Sequence, residues 1–233
     1  MNHYKKAIIT QSNYIPWKGF FDSIKHVDVF VVYDDMQYTK RDWRNRNMIK
    51  TPQGLKWLSI PVEVKGKYFQ KIKDTKIAEK DWNLSHWDTI KQNYKGAKHY
   101  KDSAEWLEPL FKNCNHEYLT DVNLHFITEI CKFLDIKTEI KYSSEFELAE
   151  EKTQRLVDIC SDLNVTDYYS GPAAKAYMEV EKFNSKNINV HYWDYSNYPL
   201  YNQLHGDFEH GVSIIDLIMN EGPNSNLFLK NLI

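Results

Sequence analysis

Residues 7–50, which read AIITQSNYIPWKGFFDSIKHVDVFVVYDDMQYTKRDWRNRNMIK, decide the fold of this chain. Two apolar runs, Ala7 to Ile9 and Val29 to Tyr33, have the character of strands, and a short helix is predicted between them. The first run ends in Thr10 to Asn13 and the second in Asp34-Asp35. If the runs are adjacent parallel strands, both polar clusters lie at the same edge of the sheet, where open α/β sheets bind ligands. The segment therefore predicts a ligand site at that edge.

The rest of the chain predicts further strands and helices around a helical middle. Strands are expected at 57–64 and 72–77, as a pair, and at 138–142, 167–169 and 188–192. Helices are expected at 82–94, 102–111, 121–134, 151–163 and 212–220. This order indicates an α/β fold with a Rossmann-like, mostly parallel open sheet and a helical insertion. The expected parts are 1–80, 81–135 and 136–233, which together can behave as one domain.

Composition limits the class of protein. The chain has 233 residues, 42% of them hydrophobic and 27% charged, enough for a sizeable core. Its apolar runs are short and interrupted by charge, and the N-terminus lacks the apolar segment of a signal peptide, so we expect a cytoplasmic protein without membrane insertion. The 3 cysteines are well separated, which suits a reducing compartment. We expect no metal site and no tightly bound cofactor.

A basic cluster lies in the first unit although the net charge is −2. It comprises Lys40, Arg41, Arg44, Arg46 and Lys50, with Asn45 among them and Asp42 as the one acid. Guanidinium groups bind phosphate or carboxylate through paired hydrogen bonds, and amides suit sugar hydroxyls. The alternative is a solvated loop without function. Nucleic acid is not expected, because the stretch is short and the remaining charge is near neutral. The 16 tyrosines and 7 tryptophans are typical of surfaces that bind sugars or nucleobases.

The turn between the first strand and the first helix supplies the next candidates. Ligand contacts are expected from Gln11, Asn13, Tyr14 and Trp17. Pro16 suits the first helical turn, with Ser12 or Asn13 as a capping residue, so the helix N-terminus is a candidate anion site.

Two polar groups follow the second strand. Asp34 suits a magnesium–phosphate contact or a ribose hydroxyl, although it also suits a simple turn, and Gln37 adds a hydrogen-bonding group for a sugar. Adjacent residues on an extended chain point in opposite directions, so at most one of Asp34 and Asp35 is expected to face the site.

Two more clusters lie near the C-terminus. Ser170, Gly171 and Lys175 follow a predicted strand and form either a ligand loop or a plain turn. His210, Ser213 and Asp216 are three residues apart, which would place them on one helix face. His205 or His210 is the candidate general base, with Asp216 fixing its tautomer. The alternative is that His210 or Asp207 only caps the helix.

Four long motifs carry a resemblance to a known family. They are TQSNYIPWKGFFDSI at 10–24, VYDDMQYTKRDWRNRNMIKTPQGLKWLSIPV at 32–62, YYSGPAAKAYM at 168–178 and FEHGVSIIDLIMNEGP at 208–223. Together they resemble the WbqC-like family, which is associated with bacterial surface-polysaccharide and O-antigen (lipopolysaccharide) gene clusters. The resemblance implies work on an activated sugar or glycan precursor. The family pattern commonly begins His-Gln-Pro, whereas this chain has Thr10-Gln11-Ser12, so no catalytic role is expected of Thr10.

We therefore expect a transferase that modifies a nucleotide-linked amino sugar, by N-acyl or aminoacyl transfer with a donor such as acetyl-CoA as co-substrate. A nucleotidyltransferase or nucleotide-activating ligase is one alternative, disfavoured because the HxGH pair and Gly-rich phosphate loops are absent. A non-catalytic nucleotide-sugar or glycan-binding protein is the other. In the favoured scheme the arginines at 41, 44 and 46 hold phosphate, and Asn13, Asp34, Gln37 and Asn45 orient the sugar or base. The oligomeric state is open, with a homodimer among the outcomes.

Overall fold

The computed structural model describes residues 4–230, which form a mixed α/β structure. Its strands are β1 (Lys6–Thr10), β2 (Val29–Val32), β3 (Arg46–Thr51), β4 (Gly54–Ser59), β5 (Glu139–Tyr142), β6 (Asp167–Ser170) and β7 (Asn189–Tyr192). Its helices are α1 (Lys18–Lys25), α2 (Trp82–Tyr94), α3 (Tyr100–Lys112), α4 (Leu119–Phe133), α5 (Lys152–Asp162), α6 (Val180–Asn184) and α7 (Ile214–Glu221). Short 3-10 turns connect several of these elements. All six predicted helices are present, as α1 to α5 and α7, and their observed ends differ from the predicted ones by at most a few residues.

The main sheet has the order β5-β2-β1-β6-β7 and every pair in it is parallel. This confirms the predicted Rossmann-like open sheet. β1 pairs directly with β2, with Ala7 opposite Val29 and Thr10 opposite Val32. The carboxyl ends of the two strands therefore meet at one edge, as expected. The chain adds strands on one side of β1 and later on the other, which makes the gap between β1 and β6 the switch point of the sheet.

Alternating side chains of β1 supply two cores, one on each face of the sheet. Ile8 belongs to a large cluster that includes α1, the three middle helices and α7. Ala7 and Ile9 belong to a second cluster formed with α5 and α6. Because both faces are covered, β2 is the continuous apolar run VFVV, fully buried along its length. The division into three parts at 80 and 135 stays a prediction. In the described range of the chain no helix has the length and apolar character needed to cross a membrane.

The predicted strand pair at 57–64 and 72–77 is wrong. β4 ends at Ser59 and pairs antiparallel with β3, which begins inside the segment expected to be a cationic loop. The turn between them places Gly54 at φ 105°, a conformation that favours glycine. Between the two predicted strands only the isolated bridge of Val62 with Ile77 forms in the described structure. The charges of Arg46 and Lys50 concealed the alternation of β3, which buries Asn47 and Ile49.

Candidate functional site

A cleft of about 470 Å³ opens beside the turn that follows β1, and we call it the aromatic cleft. It is lined by Asn13, Pro16, Trp17, Trp43, Asn47, Tyr195, Ser196, Asn197, Tyr198, His210 and Gly211. Four segments distant in sequence meet here: the turn after β1, the start of β3, the loop after β7 and the approach to α7. His210 is the one titratable side chain of the lining whose ordinary pKa lies near neutrality.

Aromatic rings form the walls of the cleft. The ring centroid of Trp17 lies 5.4 Å from that of Tyr195 and 5.3 Å from that of Tyr198. Trp43 also belongs to the lining and is 41% exposed. Such rings present flat apolar faces with polar edges, which suit the stacking of a sugar ring or a base.

Hydrogen bonds hold the turn after β1 in shape. The Asn47 side-chain amide donates to the backbone carbonyls of Tyr14 at 3.1 Å and Ile15 at 3.0 Å. The Tyr14 amide donates to the Trp43 carbonyl at 3.0 Å. Arg44 donates to the side-chain oxygen of Asn13, which leaves the amide nitrogen of Asn13 as its remaining polar group. Asn13 therefore lies in the cleft with its orientation set by Arg44.

The two aspartates after β2 point in opposite directions and neither lines the cleft. Asp34 is 3% exposed and accepts hydrogen bonds from the Ser12 hydroxyl at 2.6 Å and from Thr120 at 2.6 Å. Burial raises the pKa of Asp34, and these hydrogen bonds offset the effect only in part. Asp35 instead pairs with Lys73 at 2.6 Å and Lys71 at 3.1 Å. Burial acts against ionisation of Asp35 as well, but its lysine partners hold its pKa below the usual value. Asp34 thus anchors the turn from beneath.

The predicted capping of α1 by Ser12 or Asn13 is wrong. The helix begins at Lys18 with Trp17 as its N-cap, and no side chain caps it. Ser12 is engaged by Asp34 and Asn13 by Arg44, since a hydrogen bond to a charged group is stronger than one to a backbone amide.

His210, from the C-terminal part of the chain, lines the same cleft as Asn13 from the N-terminal part. Its ring packs edge-on against Phe208, with 4.6 Å between centroids. Partial burial lowers the pKa of His210, the nearby charge of Lys18 adds to this, and Glu209 opposes it. His210 is therefore mainly neutral at pH 7, the form that accepts a proton.

Lys18 lies beneath the cleft in an aromatic cage. Its ammonium group is 5.0 Å from the ring centroid of Tyr201 and 5.6 Å from that of Tyr198, and it donates to the Pro199 carbonyl. Burial lowers the pKa of Lys18 to about 8, although Asp22 and Asp216 favour its charged form. Lys18 fastens the loop after β7 to α1.

The expected shared helix face of His210, Ser213 and Asp216 is wrong. α7 begins at Ile214, so His210 precedes the helix, while Ser213 is its N-cap and donates to the Ile15 carbonyl at 2.7 Å. Asp216 is fully buried and accepts hydrogen bonds from Tyr94 and Tyr201, each at 2.7 Å. Burial raises the pKa of Asp216. It braces α7 and does not orient His210.

His205 also lies apart from the cleft. Its ring nitrogen is 2.8 Å from the Asn93 carbonyl, at the end of α2. This contact ties the loop before α7 to the middle helices.

The basic residues expected to clamp phosphate are spread over different surroundings. Arg44 turns inward toward Asn13, and Lys50 is buried against Gln203. Lys40 and Arg41 are exposed, and the Arg46 guanidinium lies 4.0 Å from the ring centroid of Trp57. Asn45 donates to the Ile60 carbonyl at 2.8 Å.

The other predicted contacts lie outside the cleft lining. The Gln37 amide donates to the Tyr68 carbonyl at 2.9 Å, and Gln11 is half-buried beside Ser12. Ser170 is buried, and the Lys175 ammonium is 5.1 Å from the ring centroid of Tyr192. Gly171 follows Ser170 as the residue before a 3-10 turn. Of the predicted site residues, the structure brings Asn13, Trp17 and His210 together in the cleft, whereas Tyr14 is buried and does not line it.

Sequence reasoning missed the loop of residues 195–198. Its signal is the stretch YSNYPLYNQ at 195–203, rich in tyrosine and asparagine, in a segment without strand or helix between β7 and α7. Long irregular segments inside compact domains are commonly functional. In the described residues no group of three or more His, Cys, Asp or Glu side chains is placed to hold a metal ion.

Comparison with known proteins identifies a family and one similar protein. The model of the WbqC-like protein family matches residues 11–227. The protein named Uncharacterized protein Rv1507c, from Mycobacterium tuberculosis strain H37Rv, is 46% identical over 226 residues, which are 97% of this chain and 98% of that protein. No solved structure matches the chain significantly.

Proposed function

This chain belongs to the WbqC-like protein family, and from that premise we propose that it is a transferase acting on a nucleotide-linked amino sugar in surface-polysaccharide biosynthesis. The reaction is N-acyl or aminoacyl transfer, with an activated acyl group such as that of acetyl-CoA as the second substrate. The proposal places the protein in the cytoplasm, in keeping with its three free, buried cysteines.

The observation that carries the proposal is the composition of the aromatic cleft. Its lining combines four large aromatic rings with the side-chain amides of Asn13 and Asn197, and the described residues place no lysine, arginine or carboxylate in it. A sugar ring stacks on aromatic faces and offers hydroxyls to amides, whereas a phosphate would be poorly held there. The cleft therefore suits the sugar, and the charged part of the substrate lies outside it.

His210 supplies the chemistry that transfer needs. The sugar amine attacks the carbonyl carbon of the acyl donor, forming a C–N bond. The neutral imidazole accepts the proton that the nitrogen loses, and the donor's C–S bond breaks as the thiolate of coenzyme A leaves and takes up that proton. The lowered pKa of His210 keeps the accepting form dominant at pH 7.

The proposal is tested by incubating the protein with nucleotide-linked amino sugars and acyl or aminoacyl donors, followed by mass spectrometry. We expect one sugar to gain the mass of the acyl group. His210→Ala should lower kcat roughly 100-fold, the usual contribution of a general base. His116→Ala is the matched control, since His116 is an exposed histidine outside the cleft. Absence of any mass gain across the panel, or an unchanged rate in the His210 variant, would contradict the proposal.

A non-catalytic nucleotide-sugar-binding role is the second candidate. It is favoured by one observation: Asp216, the expected partner of His210, is engaged by Tyr94 and Tyr201 instead. In that case the same incubation would show a retained but unaltered nucleotide sugar.

A further inference from the structure

The aromatic surface continues beyond the cleft onto the β3–β4 hairpin. The ring centroids of Trp43 and Trp57 are 5.4 Å apart with 41° between the planes, and each side chain is 41% exposed. Tryptophan is mostly buried in folded proteins, so two neighbouring, partly exposed indoles are unusual. We call this pair the indole platform.

A cationic group accompanies the platform. Arg46 lies on the same face of the hairpin as Trp57, and its guanidinium is 4.0 Å from the Trp57 ring centroid. Arg46 also donates to the backbone carbonyl of Arg41, whose side chain is exposed. Within residues 4–230 neither arginine has a carboxylate within ion-pair distance, because the nearby Asp42 pairs with Arg44. The platform therefore carries uncompensated positive charge.

The platform is continuous with the cleft, because Trp43 belongs to both. If the uncharged sugar of a ligand fills the cleft, the rest of that ligand extends over Trp43 toward Trp57 and the two arginines. Aromatic faces stack with bases of any type, and guanidinium groups bind phosphate oxygens in pairs. Along this surface the cleft is followed by Trp43 and then by Trp57, with the Arg46 guanidinium beside the Trp57 ring.

We propose that the indole platform with Arg41 and Arg46 is a subsite for a nucleoside diphosphate: an indole stacks on the base and the arginines bind the diphosphate. The proposal rests on the proposed function for the identity of the sugar end only. It assigns a binding role to Trp57, which is not among the residues predicted from the sequence to contact a ligand, and it places the phosphate contacts outside the cleft.

The test is binding of uridine diphosphate to the full chain, measured by isothermal titration calorimetry. We expect Trp57→Ala to weaken binding about tenfold, the effect of losing one stacked base. Arg46→Gln should weaken it as well and should flatten its dependence on salt. Leu55→Ala is the matched control, because Leu55 is 47% exposed on the same face of β4. Circular dichroism melting of each variant checks that the hairpin is folded.

Three results would overturn the subsite: no binding of uridine diphosphate to the unaltered protein, equal binding to the Trp57 variant, or an equal loss in the Leu55 control. The outcome is separable from that of the proposed function. Diphosphate binding that depends on Trp57, without any acyl transfer, leaves the subsite standing and removes the transferase. Acyl transfer with an unchanged KM for the nucleotide sugar in Trp57→Ala supports the transferase and rules out the subsite.

Discussion

Gly19 determines where Trp17 lies. A Cβ atom built on Gly19 would come within 2.3 Å of the Trp17 ring, a distance that no real contact allows. The indole therefore rests directly on the backbone at the start of α1, and only glycine leaves room for it. Since Trp17 is a wall of the aromatic cleft, the absence of a side chain at position 19 shapes the binding site.

Gly19→Ala should weaken the binding of a sugar ligand while the protein stays folded. Alanine favours a helix over glycine by about 1 kcal/mol, which compensates for part of the strain, so the variant should remain folded. The displaced indole should weaken binding of a sugar ligand roughly tenfold, as for the loss of one aromatic contact worth about 1.4 kcal/mol. Calorimetric titration measures the affinity and urea denaturation the stability.

Gly96→Ala serves as the comparison for that variant. A Cβ at Gly96 would meet only Leu204, at 3.8 Å, an ordinary contact remote from the cleft. An affinity in Gly19→Ala equal to that of Gly96→Ala would show that Trp17 is free to move without loss.

At the scale of elements, α2 supports the cleft turn through a buried histidine. The Tyr14 hydroxyl lies 2.8 Å from Nδ1 of His86, and both side chains are buried. Burial lowers the pKa of His86 to about 4, so the ring is neutral in the folded protein at pH 7. The contact between helix α2 and the segment that follows β1 therefore depends on His86 being neutral.

This histidine makes stability depend on pH. In the unfolded chain His86 has a pKa near 6.5, so between pH 6.5 and 4 the unfolded state binds more protons than the folded state. The stability due to neutral His86 is complete above pH 6.5 and is lost as the pH falls toward 4. Between pH 7 and pH 5 the loss should be roughly 2 kcal/mol.

Urea denaturation of the unaltered protein and of His86→Gln at both pH values measures this loss. Glutamine keeps a polar group but does not titrate, so the difference between the two proteins isolates His86 from Asp34 and Asp216, whose raised pKa values act in the opposite direction. Parallel pH profiles for the two proteins would contradict the assignment.

On the scale of the whole molecule, the cleft depends on contacts between the two ends of the chain. The Tyr198 hydroxyl donates to Asp22 on α1 at 2.7 Å and accepts from Trp193 at 3.1 Å. Burial raises the pKa of Asp22, and the hydrogen bond from Tyr198 opposes that rise. This pair holds the loop after β7 over α1 and so closes one side of the cleft.

Tyr198→Phe should loosen that side. It leaves the buried Asp22 carboxylate without its tyrosine donor, at a cost of about 1–3 kcal/mol in the free energy of unfolding. Chemical denaturation measures the cost, and limited proteolysis should show faster cleavage within residues 194–204. Tyr177→Phe is the control, because Tyr177 is 61% exposed and its hydroxyl should contribute little. Equal stability of the two variants would show that the Asp22 contact does not hold the loop.

Much of the fold was predictable because its signals are local. The apolar runs of β1 and β2 and the helical spacing of α2 to α4 are visible within 10 to 15 residues of sequence. The β3–β4 hairpin was not, since charged residues such as Arg46 and Lys50 occupy strand positions and the burial of Lys50 depends on Gln203, 153 residues away.

The candidate site also combines features that were predictable from local sequence with features that depend on distant residues. The sequence alone indicated the family, the helices, the strands of the parallel sheet and the sheet edge where polar residues gather, because periodicity and motif are properties of neighbouring residues. Tertiary structure decided which side chains face the cleft. Asp34, Asp216 and Arg44 turned inward, while Trp43, Tyr195 and Tyr198 came to its walls. A buried charge must be matched by hydrogen bonds, and in this protein such partners lie as far as 181 residues away along the chain, as for Lys18 and the Pro199 carbonyl.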